Sequence, residues 1–231
     1  MLFANNKQEL KSALSSMDIS VPKRSDGRTK AHTERFAIAH MLSALLAKNK
    51  LAYPLGLIQR ERPDFLLRIN DSQIGIEHTE AIPQNEAHKT VLRDKVAGPD
   101  FYLISHHYPS ENKQSAKELI EEIQANKAGP AWAGDAAEKE WSEVMLHFVK
   151  KKIEAMSKEG FEIFGENWLL IYDNWILPAL AREKAANLLL PKINECACFD
   201  SFDSVYIITG NLVLVFSNGA VVQHEVNNLW N

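Results

Sequence analysis

The chain has 231 residues, 45% hydrophobic and 24% charged, with a net charge of −4. This balance predicts a soluble globular protein and argues mildly against a general nucleic-acid binder, without excluding a local basic groove. No apolar run reaches bilayer-spanning length, the N-terminus lacks a signal-peptide core, and Cys196 and Cys198 lie too close for an easy bridge, so a cytoplasmic setting without membrane contact is expected.

In chain order, residues 1–30 read as a polar N-terminal arm with a helix near Gln8–Met17 and a turn at Ser25-Asp26-Gly27. Its excess of lysine and arginine suits either solvent or a phosphate. From residue 31 onward a single domain is expected. Its first helix, Ala31–Lys48, carries an apolar stripe of Phe36, Ile38, Met41, Leu42, Leu45 and Leu46 at helical spacing. Glu34 lies on that stripe, where a carboxylate needs either a cation or an arginine such as Arg35 or Arg62. Leu55–Arg60 reads as an edge strand.

Residues 64–69 and 74–79 read as two strands around Asn70, Asp71 and Ser72. With Asp71-Ser72 as the loop, Leu67 faces Ile76 and Asp64 faces Thr79. Phe65, Leu67, Ile69, Ile74 and Ile76 then share an apolar face, and Asp64, Leu66, Arg68, Gly75, Glu77 and Thr79 the other. Asp64 and Glu77 become diagonal neighbours, two carboxylates that repel unless a cation sits between them. The pair reads as a metal site or as solvated hairpin charges.

Beyond Pro83 the spacing predicts a helix over Asn85–Val96 and another over Ser115–Asn126, an excursion spanning residues 81–134. His106-His107 between them would point apart, a poor zinc pair. A long helix from Asp135 to Lys158 follows, with Lys152 at the margin of its apolar stripe, from which a long side chain can reach inward. Trp168–Tyr172 is the continuous apolar run of a buried parallel strand. Pro178 is expected to open a helix and Pro191 to stop it; strands at 205–209, 212–216 and 220–224 close the chain, the last two as a hairpin turned by Asn218-Gly219. The fold class is therefore α/β, a mixed central sheet flanked by helices, with a helical insertion and a C-terminal β-hairpin.

Pro63-Asp64, followed on the next strand by Glu77 and then Thr79, resembles the PD-(D/E)XK nuclease superfamily. Thr79 stands where that family usually has lysine. The resemblance covers mainly residues 30–80. It implies a restriction-endonuclease-like core and a metal-dependent endonuclease acting on phosphodiester bonds of DNA. Asp64 and Glu77 would hold Mg²⁺ or Mn²⁺, with Glu34 in support. Thr79 can only hydrogen-bond a water, so a lysine from elsewhere would supply the missing charge: Lys152 first, then Lys151 or Lys95. A second copy of the chain is a further partner considered. The alternative is a catalytically inactive relative, a binding or interaction protein that keeps the nuclease-like fold.

Overall fold

In a computed structural model, described over residues 2–230, eight strands form one mixed sheet: β1 (Leu2–Ala4), β2 (Leu55–Gln59), β3 (Phe65–Ile69), β4 (Ser72–Ala81), β5 (Glu166–Asp173), β6 (Ser204–Thr209), β7 (Leu212–Ser217) and β8 (Ala220–Glu225). Their spatial order is their chain order. β4, β5 and β6 are parallel neighbours, and all other pairings are antiparallel. Six helices accompany them: α1 (Lys7–Ser15), α2 (Lys30–Ala47), α3 (Gln84–Arg93), α4 (Ala116–Ala125), α5 (Ala136–Met156) and α6 (Arg182–Glu195). No described helix is long and apolar enough to cross a membrane.

Strand alternation sorts the apolar residues into two cores, one on each face of the sheet. Leu67, Ile76, Leu170 and Ile208 pack with α1 and α2; Leu169, Ile171, Ile207 and Leu214 pack with α5 and α6. The α2 helix is buried nearly all round, because the C-terminal segment lies over its far side: Trp230 Nε1 donates to the Leu14 carbonyl at 2.6 Å and its ring stacks 5.0 Å from that of His40.

Four expectations are corrected. Residues 2–30 are not a solvated arm: the expected helix is there as α1, Leu2 and Ala4 sit in β1, Leu10 and Leu14 are fully buried, and β2 is consequently an inner strand. Pro191 lies inside α6 rather than ending it. Burial of Ala185, Ala186, Leu189 and Ile193 outweighs the lost hydrogen bond. Helix α6 begins at Arg182, four residues beyond Pro178. The β3–β4 register is shifted by two: Ile69 pairs with Ser72 and Phe65 with Ile76, because Asn70 takes the left-handed conformation (φ 51°) and turns the chain with Asp71. A two-residue shift preserves both faces.

Gly75 makes the motif strand accessible. A methyl group there would lie 2.7 Å from the Phe164 ring and 3.1 Å from Cγ of Pro63, so only a glycine lets both lean on β4. We expect Gly75→Ala to destabilise the fold by about 1–3 kcal/mol in chemical denaturation. Gly56→Ala in β2, whose methyl would meet only Phe3 at 3.8 Å, should change stability by less than about 0.5 kcal/mol. A second expectation concerns His40, whose pKa burial lowers below its unfolded 6.5 despite the Phe36 carbonyl at 2.7 Å. The unfolded chain binds that proton more readily, so stability from His40 is complete above pH 6.5 and is lost as pH falls. Urea titrations across this range should show a shallower pH dependence for His40→Gln.

Candidate functional site

Carrying the β3–β4 register one residue beyond Phe65↔Ile76 sets Asp64 directly against Glu77 instead of on the diagonal. Directly opposed residues lie about 4.5–5.5 Å apart at Cβ. β3 starts here while β4 runs on to Ala81, so the Asp64 carboxylate turns into the vacant edge and its Oδ2 accepts the His78 N–H at 2.7 Å. Asp64 is 1% exposed.

Helix α2 supplies the third carboxylate. Glu34 is buried, with Oε2 accepting from Gln59 Nε2 at 2.7 Å and Oε1 lying 3.0 Å from Lys30 Nζ. The same ammonium pairs with Asp64 Oδ1. Glu34 is thus satisfied by Lys30 and Gln59, not by Arg35 or Arg62. Residues i and i+4 share a helix face, which aligns Lys30 with Glu34, whereas Arg35 points about 100° away. The hydrogen bonds to Asp64 and Glu34 outweigh the cost of burying the Lys30 ammonium and raise its pKa.

Helix α5 covers the sheet face that carries Glu77 and Leu169, and from it Lys152 Nζ reaches Glu77 Oε1 at 2.7 Å. The Lys152 side chain is 18% exposed. Lys95 and Lys151 are exposed and make no ion pair among the described residues. Burial raises the pKa of Glu77 and the Asp64 charge adds to the effect, with Lys152 opposing both. Its second oxygen, Oε2, is buried without a partner. Burial likewise lowers His78 to about 3, leaving a neutral imidazole whose buried Nε2 has no partner.

Glu34, Asp64 and His78 each present a ligand atom within 4.8 Å of the others, so this buried group can hold a metal ion. Three carboxylates here face two ammonium groups and a neutral ring. An ammonium already stands between two of the carboxylates, and two buried polar atoms lack partners. Thr79, half-buried, lines the adjoining cleft of 310 Å³ together with Lys30, Thr33, His78 and Lys152. Glu80 points to the α2 side, where Arg24 and Arg28 pair with it at 2.6 and 3.0 Å.

Of the five residues expected to form the site, Asp64 and Glu34 join the buried group and Thr79 and Lys152 line the cleft; Glu77, expected as a metal ligand, is outside that group and reaches the cleft only through its ion pair with Lys152. Lys30, Gln59 and the His78 ring are additions. Lys30 was legible as the i−4 partner of Glu34; His78 was not, because it alternates with Glu77 and points to the opposite face. His106 and His107 do point apart, His106 to Glu140 at 2.9 Å and His107 to Glu111 and Glu122 at 2.7 and 2.8 Å. No protein-family model, no curated protein and no solved structure matches this chain.

Proposed function

We propose that this protein is a metal-dependent nuclease of the PD-(D/E)XK type, hydrolysing phosphodiester bonds of DNA. The observation that carries this reading is Lys152 on Glu77: the position that Thr79 leaves uncharged receives a lysine from α5. Asp64, Glu34 and His78 would hold Mg²⁺ or Mn²⁺, the imidazole shifting preference toward Mn²⁺. Such a cation, when bound, supplies charge neutralisation at the phosphate and acidifies water.

The chain's own residues do the rest. The unpartnered Oε2 of Glu77, made more basic by burial, accepts a proton from water as the water oxygen bonds to phosphorus and the P–O bond to the leaving oxygen breaks, that oxygen taking a proton from solvent. Lys152, fixed by Oε1 of the same carboxylate, offsets the charge that grows on the phosphoryl oxygens. The Thr79 hydroxyl offers that water a neutral hydrogen bond. His78 stays neutral at working pH, keeping a lone pair available as a ligand. Lys30, whose side chain is 64% exposed, can swing from the carboxylates to solvent or phosphate.

A second reading has a specific observation behind it. Lys30 already neutralises Asp64 and Glu34 without metal, as suits an inactive relative that binds a partner instead.

Three measurements test these roles. Mn²⁺ at about a hundred times its dissociation constant should stabilise the wild type by about 2.7 kcal/mol in thermal melting and leave Asp64→Asn unshifted. Lys30→Met, which removes the internal competitor, should bind Mn²⁺ roughly tenfold more tightly by calorimetry; weaker binding would make Lys30 a support of the metal site. With Mn²⁺ and plasmid or single-stranded DNA, Lys152→Met should lose roughly a hundredfold in cleavage rate or more while melting as the wild type does. No cleavage of any substrate by the wild type would favour the binding-protein reading.

A further inference from the structure

A second cleft, of 370 Å³, opens beside the first and shares Arg24 and Arg28 with it. One wall is the N-terminal segment before α2, another is α3, and the third comes from the loops around Ile104 and Ile176. Its volume falls in the range of small-ligand pockets, roughly 300–1,000 Å³.

Two properties set it apart from a bare phosphate track. It is cationic: Lys23 and Arg93 join the two shared arginines, facing Glu86 and Asp94, which are held by the His107 N–H and the Ser25 hydroxyl. Arg93 makes no ion pair among the described residues, and its Nε is buried without a partner. The guanidinium lies 4.9 Å above the Tyr102 ring, and Tyr102 is packed so closely on Gly98 that a methyl group there would meet its hydroxyl at 2.4 Å. The cleft is also apolar: Ile104 is 42% exposed and Ile176 74%, both lining it. Arg24 and Arg28 are shared with Glu80, but Lys23 and Arg93 make no ion pair among the described residues, and apolar side chains left in water next to them suit a ligand with a flat hydrophobic part and an anionic part. A nucleotide has both.

A duplex keeps its base faces stacked inside and presents phosphates, sugars and groove edges, so it has no flat face to lay on the apolar wall. An unpaired nucleotide can place its base against Ile104, Ile176 and Tyr102 and its phosphate on the arginines. We infer that this cleft takes an unpaired nucleotide next to the scissile phosphate, so that the preferred substrate is single-stranded or frayed nucleic acid. The inference rests on the nuclease reading and adds the substrate class.

The test uses a labelled single-stranded DNA oligonucleotide and the blunt duplex of the same sequence. Binding is measured by fluorescence anisotropy in Ca²⁺ and cleavage in Mn²⁺. Wild type should bind and cut the single strand in preference. Ile176→Ser should weaken single-strand binding roughly fivefold and Arg93→Gln roughly tenfold, each leaving duplex binding within about twofold. Ile176 is exposed and its replacement neutral, so that variant reports on the cleft without a folding or charge penalty. If wild type binds and cuts duplex DNA but both variants handle the single strand as wild type does, this inference falls and the nuclease reading stands. Equal losses on both substrates would also overturn it, as nonspecific electrostatics. If wild type neither binds nor cuts either substrate, the nuclease reading fails and takes the inference with it.

Discussion

The buried carboxylates at the open edge of β4 set the conditions for their surroundings. Asp64, Glu77 and Glu34 are drawn together by a hairpin register and a helix whose apolar residues must face the sheet. Water is too scarce there to solvate three negative charges, and an unpaired buried charge is far more costly than a surface one. Cations must come from wherever the fold can deliver them. Lys30 arrives from the first turn of α2, and Lys152 crosses from α5 on the opposite face. The arrangement leaves one carboxylate oxygen and one imidazole nitrogen unsatisfied. The imidazole nitrogen belongs with Glu34 and Asp64 to a group that can hold a metal ion, so the network is not a closed set of ion pairs.

Legibility followed the physics of each signal. The two faces of the β3–β4 hairpin could be read because strand alternation has a period of two, and an error of two residues in the turn leaves every side chain on its proper side. The turn itself could not: Asn70, Asp71 and Ser72 all favour turns, and choosing among them depends on which residue takes the left-handed conformation. Lys152 stood out as a long cation at the border of an apolar stripe. The His78 ring could not be placed with the carboxylates because alternation assigns it to the far face from Glu77, and only the short β3 lets both faces of β4 reach one site. Strand β1 offered three residues, Leu2, Phe3 and Ala4, too few for any periodic signal. Pro191 marked the end of a helix by local chemistry, and four buried neighbours overrode it.

One acceptor gathers much of the excursion between β4 and β5. Glu140 on α5 receives hydrogen bonds from His106, Tyr108, Trp132 and Trp175, at 2.9, 3.0, 2.8 and 3.2 Å. Burial works against its charge, but the bonds from His106, Trp132 and Tyr108 hold its pKa below the usual carboxylate range. The loop that walls the second cleft is thereby fastened to the helix that carries Lys152.

The sheet's connectivity imposes an order of assembly on this chemistry. β2, β3 and β4 follow one another through short turns, as do β6, β7 and β8, so each trio closes with little loop entropy. β5 must join the trios by two parallel pairings, one of them across residues 82–165, and such distant contacts form slowly. Asp64 and Glu77 belong to the first trio, whereas Lys152 lies within that long connection. On the nascent chain Lys30 and the carboxylates therefore leave the ribosome well before Lys152, and Glu77 must stay hydrated until α5 docks.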